Sequence, residues 1–135
     1  MRPLTKISLF GIRLATCVLA IYWIAIFTGT HIPHPPQFVG RVSDKTMHFS
    51  SFFGLAMLLC WVIQTRTTAV RKFLTVLVIS LCYAAIDEIT QGFVRGRQTD
   101  IMDFAADSLG VVTAIVFYAL MRFLLPRLSN PVAAS

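Results

Sequence analysis

Four apolar stretches of roughly twenty residues each constrain this chain more than any other feature. They run from about 7 to 28, 45 to 63, 73 to 91 and 103 to 125. A helix rises about 1.5 Å per residue, so about 20 apolar residues cross the hydrocarbon core of a bilayer. In lipid each backbone N–H and C=O must be paired inside the protein, which selects helices for such segments. The runs are continuous and not alternating, which argues against a β-barrel. Of the 135 residues, 56% are hydrophobic and 13% charged, with mean hydropathy +0.74. A soluble domain carries about 25% charged residues, and a chain this short has too little interior to hide so much apolar side chain. Composition therefore excludes a water-soluble globule and a disordered chain. The expected fold is all-α, a four-helix transmembrane bundle forming one domain over 1–135.

Local signals bound the segments. Thr30-His31-Ile32-Pro33-His34-Pro35-Pro36 cannot continue a helix. Ser43 or Asp44 can cap the second helix, and Asp100 or Asp103 the fourth. Gln64 to Thr68 form a polar turn, Gly92 and Gly96 flank a polar loop, and Pro126 ends the last helix, leaving a tail expected to fray. Met1 to Lys6 resemble the basic start of a signal peptide, but Arg13 interrupts the apolar run and no A-x-A-like site follows. The first segment is therefore expected to remain as a helix. Cys17, Cys60 and Cys82 lie within apolar segments, are odd in number and show no zinc spacing, so they read as buried small hydrophobes. In His31-x-x-His34 the prolines favour extended backbone over a helical chelate. Spacing assigns no metal and no cofactor.

Charge is distributed along the chain with a purpose that its total hides. Net charge is +6, which in a soluble protein would suggest nucleic acid. Here the six acids, Asp44, Asp87, Glu88, Asp100, Asp103 and Asp107, avoid both chain ends. Eight Lys and Arg fall on the side of the termini and the middle loop: Arg2, Lys6, Arg13, Arg66, Arg71, Lys72, Arg122 and Arg127. Four fall opposite: Arg41, Lys45, Arg95 and Arg97. Basic residues mark the cytoplasmic face, so the expected orientation is both termini inside, in a multi-pass protein of the cell membrane. The basic residues expected on the cytoplasmic side need no partner beyond anionic lipid headgroups.

The candidate chemistry lies at the opposite, outward end. Asp44 and His48 are four apart and share a helix face with Lys45 beside them. Asp87, Glu88 and Gln91 close the third segment, Arg95 and Arg97 occupy the loop, and Asp100, Asp103 and Asp107 form an acidic stripe opening the fourth. Asp100 and Asp103 sit where a helix dipole favours negative charge by about 0.3–1 kcal/mol. Asp87 and Glu88 sit where it repels them, after fourteen uncharged residues, Phe73 to Ile86. They should need cations, and Arg95, Arg97, Lys45 and His48 are the candidates. The spacing of Asp107 turns it toward the interior. Gly54 and Gly110 are expected to permit close helix approach.

Taken in order, Asp44-Lys45-x-x-His48-Phe49, Asp87-Glu88-x-x-Gln91 and Arg97-x-x-Asp100-x-x-Asp103-x-x-x-Asp107-x-x-Gly110 resemble the VanZ-like family over about residues 10 to 125. That family takes its name from a protein linked to teicoplanin resistance. The resemblance implies a small multi-helix membrane domain. This chain departs at Asp107, where Asn is common, and at Ala114, where a second Gly is frequent.

Three functions fit these residues. In the first, the charged cluster binds a cell-envelope lipid headgroup, such as a cell-wall lipid intermediate, or a glycopeptide, with Arg95 and Arg97 suited to phosphate or carboxylate. In the second, His48 and the paired carboxylates serve a membrane-embedded hydrolase or transferase, although no nucleophile motif appears and no catalytic residue is assigned. In the third, the acids couple a small transporter to protons or ions. Against the third, the acids cluster at one end and no polar residues are seen to continue them across the midplane. The expected ligand-contacting set is Asp44, Lys45, His48, Asp87, Glu88, Gln91, Arg95, Arg97, Asp100, Asp103 and Asp107.

Overall fold

A computed structural model describes residues 8–9, 12–33, 44–63 and 68–124. Ser43, His34, the 64–67 part of the polar turn and the tail beyond Leu124 lie outside these residues. Four helices carry the fold: α1 (Leu14–Thr30), α2 (Asp44–Val62), α3 (Ala69–Gln91) and α4 (Ile101–Leu124). A two-residue antiparallel ladder precedes them, with β1 (Ser8–Leu9) paired to β2 (Ile12–Arg13) through Ser8↔Arg13 and Leu9↔Ile12. The first helix thus starts at Leu14 and not near Ile7, because the backbone groups of these four residues bond across the ladder. The third helix starts four residues earlier than apolarity alone indicates. Thr68, in extended backbone, accepts the Arg71 N–H at 3.4 Å and admits Arg71 and Lys72 to the first turn.

Asp100 caps α4. Its Oδ1 accepts the Met102 N–H at 2.8 Å, and its backbone carbonyl accepts from Asp103 and Phe104. The loop between α3 and α4 turns sharply at Gly96, whose φ of 85° is a left-handed conformation that side chains disfavour.

α2 is the hub. It buries Phe52, Leu55, Ala56 and Leu59, at the i, i+3, i+4, i+7 spacing of one helix face. It packs most extensively against α4 and also touches α1 and α3. The α2–α4 approach depends on Gly110, where a Cβ would overlap the Phe49 carbonyl and meet the Phe53 backbone nitrogen at 3.1 Å. Val111 and Ala114 continue that seam. Gly54 leaves space for the Tyr22 ring, whose hydroxyl donates to the Ser51 carbonyl at 3.1 Å. Trp23 meets Tyr83 edge-on at 5.0 Å between centroids, which ties α1 to α3.

Outward faces are apolar and inward positions are unusually polar. Ile21 and Ile24 on α1, Val70, Leu74, Val78, Ile86 and Ile89 on α3, and Leu109, Val116, Leu120 and Phe123 on α4 are all exposed. His48, Lys72, Ser80, Asp87, Glu88, Gln91, Asp103 and Asp107 are buried. Apolar patches this extensive do not face water on a soluble monomer. By length and composition, α3 and α4 can each cross a membrane. α1 is apolar but has 17 residues, and α2 opens with Asp44, Lys45, Thr46 and His48. Of the three cysteines only Cys60 is buried; Cys82 stands on the exposed face of α3. That corrects the expectation of three buried thiols, since Cys82 is two residues from buried Ser80 and Ala84 and so faces away from them. α3 also carries polar residues along its buried face. Lys72, Ser80 and Asp87 share its buried face, with Lys72 Nζ donating to the Tyr118 hydroxyl at 3.1 Å.

Replacing Gly110 by Leu should therefore break the α2–α4 seam, because helix backbone cannot yield as a flexible side chain can. A loss of about 1–3 kcal/mol or more is expected, read as a lower thermal midpoint in detergent, whereas Gly29→Ala, within α1 and with open space around it, should not lower that midpoint.

Candidate functional site

The chemistry gathers where the C-terminal ends of α1 and α3 meet the N-terminal ends of α2 and α4. His48 Nδ1 lies 3.0 Å from Asp107 Oδ1, and both side chains are buried. Its Nε2 is 4.0 Å from Asp103 Oδ2. Lys45 Nζ donates to Asp100 Oδ2 at 2.9 Å and to Asp103 Oδ1 at 3.0 Å, clamping the first turn of α4 to the first turn of α2. The Lys45 ammonium holds the Asp100 carboxyl below the ordinary carboxylate range, helped by the Met102 N–H. The Asp103 and Asp107 stripe read from spacing thus faces α2, as Lys45 and His48 show.

Asp87 and Glu88 find donors of a kind not expected from sequence. Asp87 Oδ1 accepts from the Thr30 hydroxyl at 3.0 Å and the Tyr83 hydroxyl at 3.4 Å; Oδ2 accepts from the Gln91 amide at 2.9 Å. Glu88 Oε1 accepts the backbone N–H of Asp100, at the start of α4. Neither carboxylate pairs with Arg95 or Arg97 among the described residues, which corrects the expected ion-pair node. The physical reason is that neutral donors and the N-terminal amide of the neighbouring helix supply the partners, and that amide end carries partial positive charge. Arg95 is exposed and forms no ion pair among the described residues. Arg97 approaches Asp44, with Nη1 3.9 Å from Oδ1, and its Nε is buried without a partner.

Thr30, His31 and Tyr83 join the site although sequence reasoning did not select them. His31 Nδ1 lies 2.8 Å from the Phe27 carbonyl, which only accepts, so Nδ1 carries a proton. Nε2 meets the Thr90 hydroxyl at 3.0 Å, and Asp87 Oδ1 is 3.9 Å from Nδ1. Tyr83 was legible, being four residues before Asp87 on one face. Thr30 and His31 were not, because only the packing of α1 on α3 brings them to Asp87.

A cleft of about 110 Å³ opens beside this cluster between α1 and α2, with Thr30, Asp44, His48, Ser51 and Arg97 as its polar lining. Ala25, Ile26, Met47 and Phe52 form its apolar wall.

Fold and site together define a class: an all-α chain, apolar outside, with two helices able to cross a membrane and a nest of carboxylates around a histidine inside one end. The particular family follows from sequence comparison, for residues 17–122 match the VanZ/LLP1 family, and the chain belongs to it. Neither a curated protein nor a solved structure matches the chain.

Two outcomes test the geometry. Asp87→Leu leaves the buried Gln91 amide without its acceptor and should lower stability by about 1–3 kcal/mol. Asp87→Asn keeps the volume and an acceptor oxygen and should lose less; thermal unfolding of both in one detergent decides it. Because the Asp100 carboxyl is depressed, its stabilising contribution is present above about pH 4 and disappears as pH falls through its lower folded value. The protection factor of the Met102 amide, its intrinsic exchange rate at each pH divided by the observed rate, should fall on acidification below that point, and Lys45→Met should shrink the effect to the share that the Met102 N–H supplies.

Proposed function

We propose that this VanZ/LLP1 protein is a multi-pass membrane protein whose polar helix ends bind the anionic headgroup of a cell-envelope lipid. Arg97 is the observation that supports it most. Its guanidinium lines the cleft, its Nε–H has no acceptor among the described residues, and its ion partner stands at 3.9 Å. A guanidinium presents parallel donors that match phosphate or carboxylate oxygens, and one with a buried Nε–H lacking an acceptor is suited to receive one from a ligand. His48 and the Thr30 and Ser51 residues on the same walls add polar groups, while Met47, Ile26 and Phe52 meet the start of an acyl chain.

Size favours a headgroup over a whole glycopeptide. Sites for drug-sized ligands measure about 300–1,000 Å³, and this cleft measures about 110 Å³. A part in glycopeptide resistance, implied by the family resemblance, would then act through an envelope lipid that such antibiotics also engage.

In this reading all four helices cross the bilayer as an antiparallel bundle. α2 carries its charged first turn at the interface, where Asp44 and Lys45 reach headgroups. Both termini lie in the cytoplasm, on the side with eight of the twelve Lys and Arg. Lys72 is at that end, its ammonium 4.6 Å from the centroid of the Tyr118 ring.

Native mass spectrometry of the protein taken from its own membrane should show a phosphate-bearing lipid bound one to one. Arg97→Ala should reduce that occupancy at least tenfold and Arg97→Lys several-fold, since an ammonium lacks the paired donors. Undiminished lipid in Arg97→Ala refutes the assignment. A reporter that functions only outside the cytoplasm should stay silent when fused after Ser135; a signal from it reverses the orientation.

A further inference from the structure

His48 on α2, Glu88 on α3 and Asp107 on α4 each present one ligand atom, and these atoms lie within 4.8 Å of one another. All three side chains are buried, Glu88 at 5% exposure and Asp107 at 0%. Each carboxyl group keeps a buried oxygen with no hydrogen-bond partner, Oε2 of Glu88 and Oδ2 of Asp107. Buried carboxylate oxygens without partners are rare, because the desolvation they suffer is not returned. Two of them beside one imidazole point to an unseen electrophile.

We propose that His48, Glu88 and Asp107 form a binding site for a divalent transition-metal ion of the zinc class. The donor set is one imidazole nitrogen and two carboxylate oxygens, which such ions accept at about 2.0–2.2 Å. Ligand atoms on one such ion stand about 3–3.5 Å apart, and His48 Nδ1 and Asp107 Oδ1 are already separated by 3.0 Å. Two carboxylates and a neutral imidazole around a divalent ion sum to no net charge, the cheapest state for a group buried in an apolar surround. Three protein ligands leave a coordination position open. His48 also lines the cleft that Arg97 lines.

A second trio, Asp44, His48 and Asp103, meets the same distance limit. It is the poorer site. Asp103 already accepts from Lys45, Arg97 lies against Asp44, and Asp44 is exposed. The cations there compete with an ion, whereas neither Glu88 nor Asp107 has a Lys or Arg partner among the described residues. This metal site does not depend on lipid binding, and the two readings fail separately.

The test uses the full chain, purified in detergent, stripped with chelator and titrated with Zn²⁺. One zinc per chain is expected by elemental analysis after dialysis, and Glu88→Gln and Asp107→Ala should each weaken binding at least tenfold. A chain with Cys17, Cys60 and Cys82 all changed to Ser should bind as the parent does. X-ray absorption of the zinc-loaded parent chain, which needs no variant to fold, should show one imidazole and a shell of nitrogen and oxygen only. Substoichiometric zinc in the parent chain, a sulfur shell, or binding unaffected by Glu88→Gln overturns the proposal. Zinc lost from Asp44→Asn but kept by Glu88→Gln would also overturn it, by moving the ion to the second trio. Lipid occupancy, measured on the same samples, reports on the cleft independently.

Discussion

One constraint organises the polar end of this protein: carboxylates buried among apolar helices need partners, and most of their oxygens find donors on neighbouring helices or on their own. An unpaired buried charge is among the most unfavourable groups a fold can contain. Each helix end therefore contributes. α1 gives the Thr30 hydroxyl to Asp87, α2 gives the Lys45 ammonium to the acids of α4 and sets His48 beside Asp107, and the first amide of the α4 turn goes to Glu88. These contacts cross between elements that share few other polar interactions. They fix the register of the helices against one another, where an apolar seam alone would tolerate sliding.

The hub role of α2 connects this polar end to the apolar body. One of its faces buries Phe52, Leu55, Ala56 and Leu59; one turn earlier on that face His48 takes its place beside Asp107. The same seam that admits Gly110 against the Phe49 and Phe53 backbone holds Asp107, one turn earlier on α4, at hydrogen-bond distance from His48. Close packing and polar chemistry are thus one construction. A small residue lets two helices approach, and their approach brings a carboxylate and an imidazole to 3.0 Å.

Not all the acids are alike. Asp100 and Asp103 face the Lys45 ammonium and the start of a helix, two favourable fields, and their role is to clamp α4 to α2. Asp87 is satisfied by three neutral donors. Glu88 and Asp107 each retain an oxygen without a partner. The difference separates structural carboxylates from those with unused coordinating capacity, and Arg97 stands apart in the same way among the cations.

The helices, their approximate bounds and the clustering of charge at one end were determined by the sequence, because apolar run length and i, i+4 spacing are local properties. Asp107 facing inward, Gly110 at a close crossing and Asp100 as a cap were legible for the same reason. The VanZ-like resemblance was legible in three ordered motifs and agrees with the family to which the chain belongs. What tertiary structure decided was which groups meet. Sequence charge matching pointed Asp87 and Glu88 toward Arg95 and Arg97; packing gave them a threonine, a glutamine, a tyrosine and a backbone amide instead. Thr30 and His31 entered the site only because α1 lies beside α3, and the His48–Glu88–Asp107 trio draws one ligand from each of three helices, so no spacing along the chain could announce it. Period and composition act over one turn, whereas partners across a fold are chosen by the packing of whole helices.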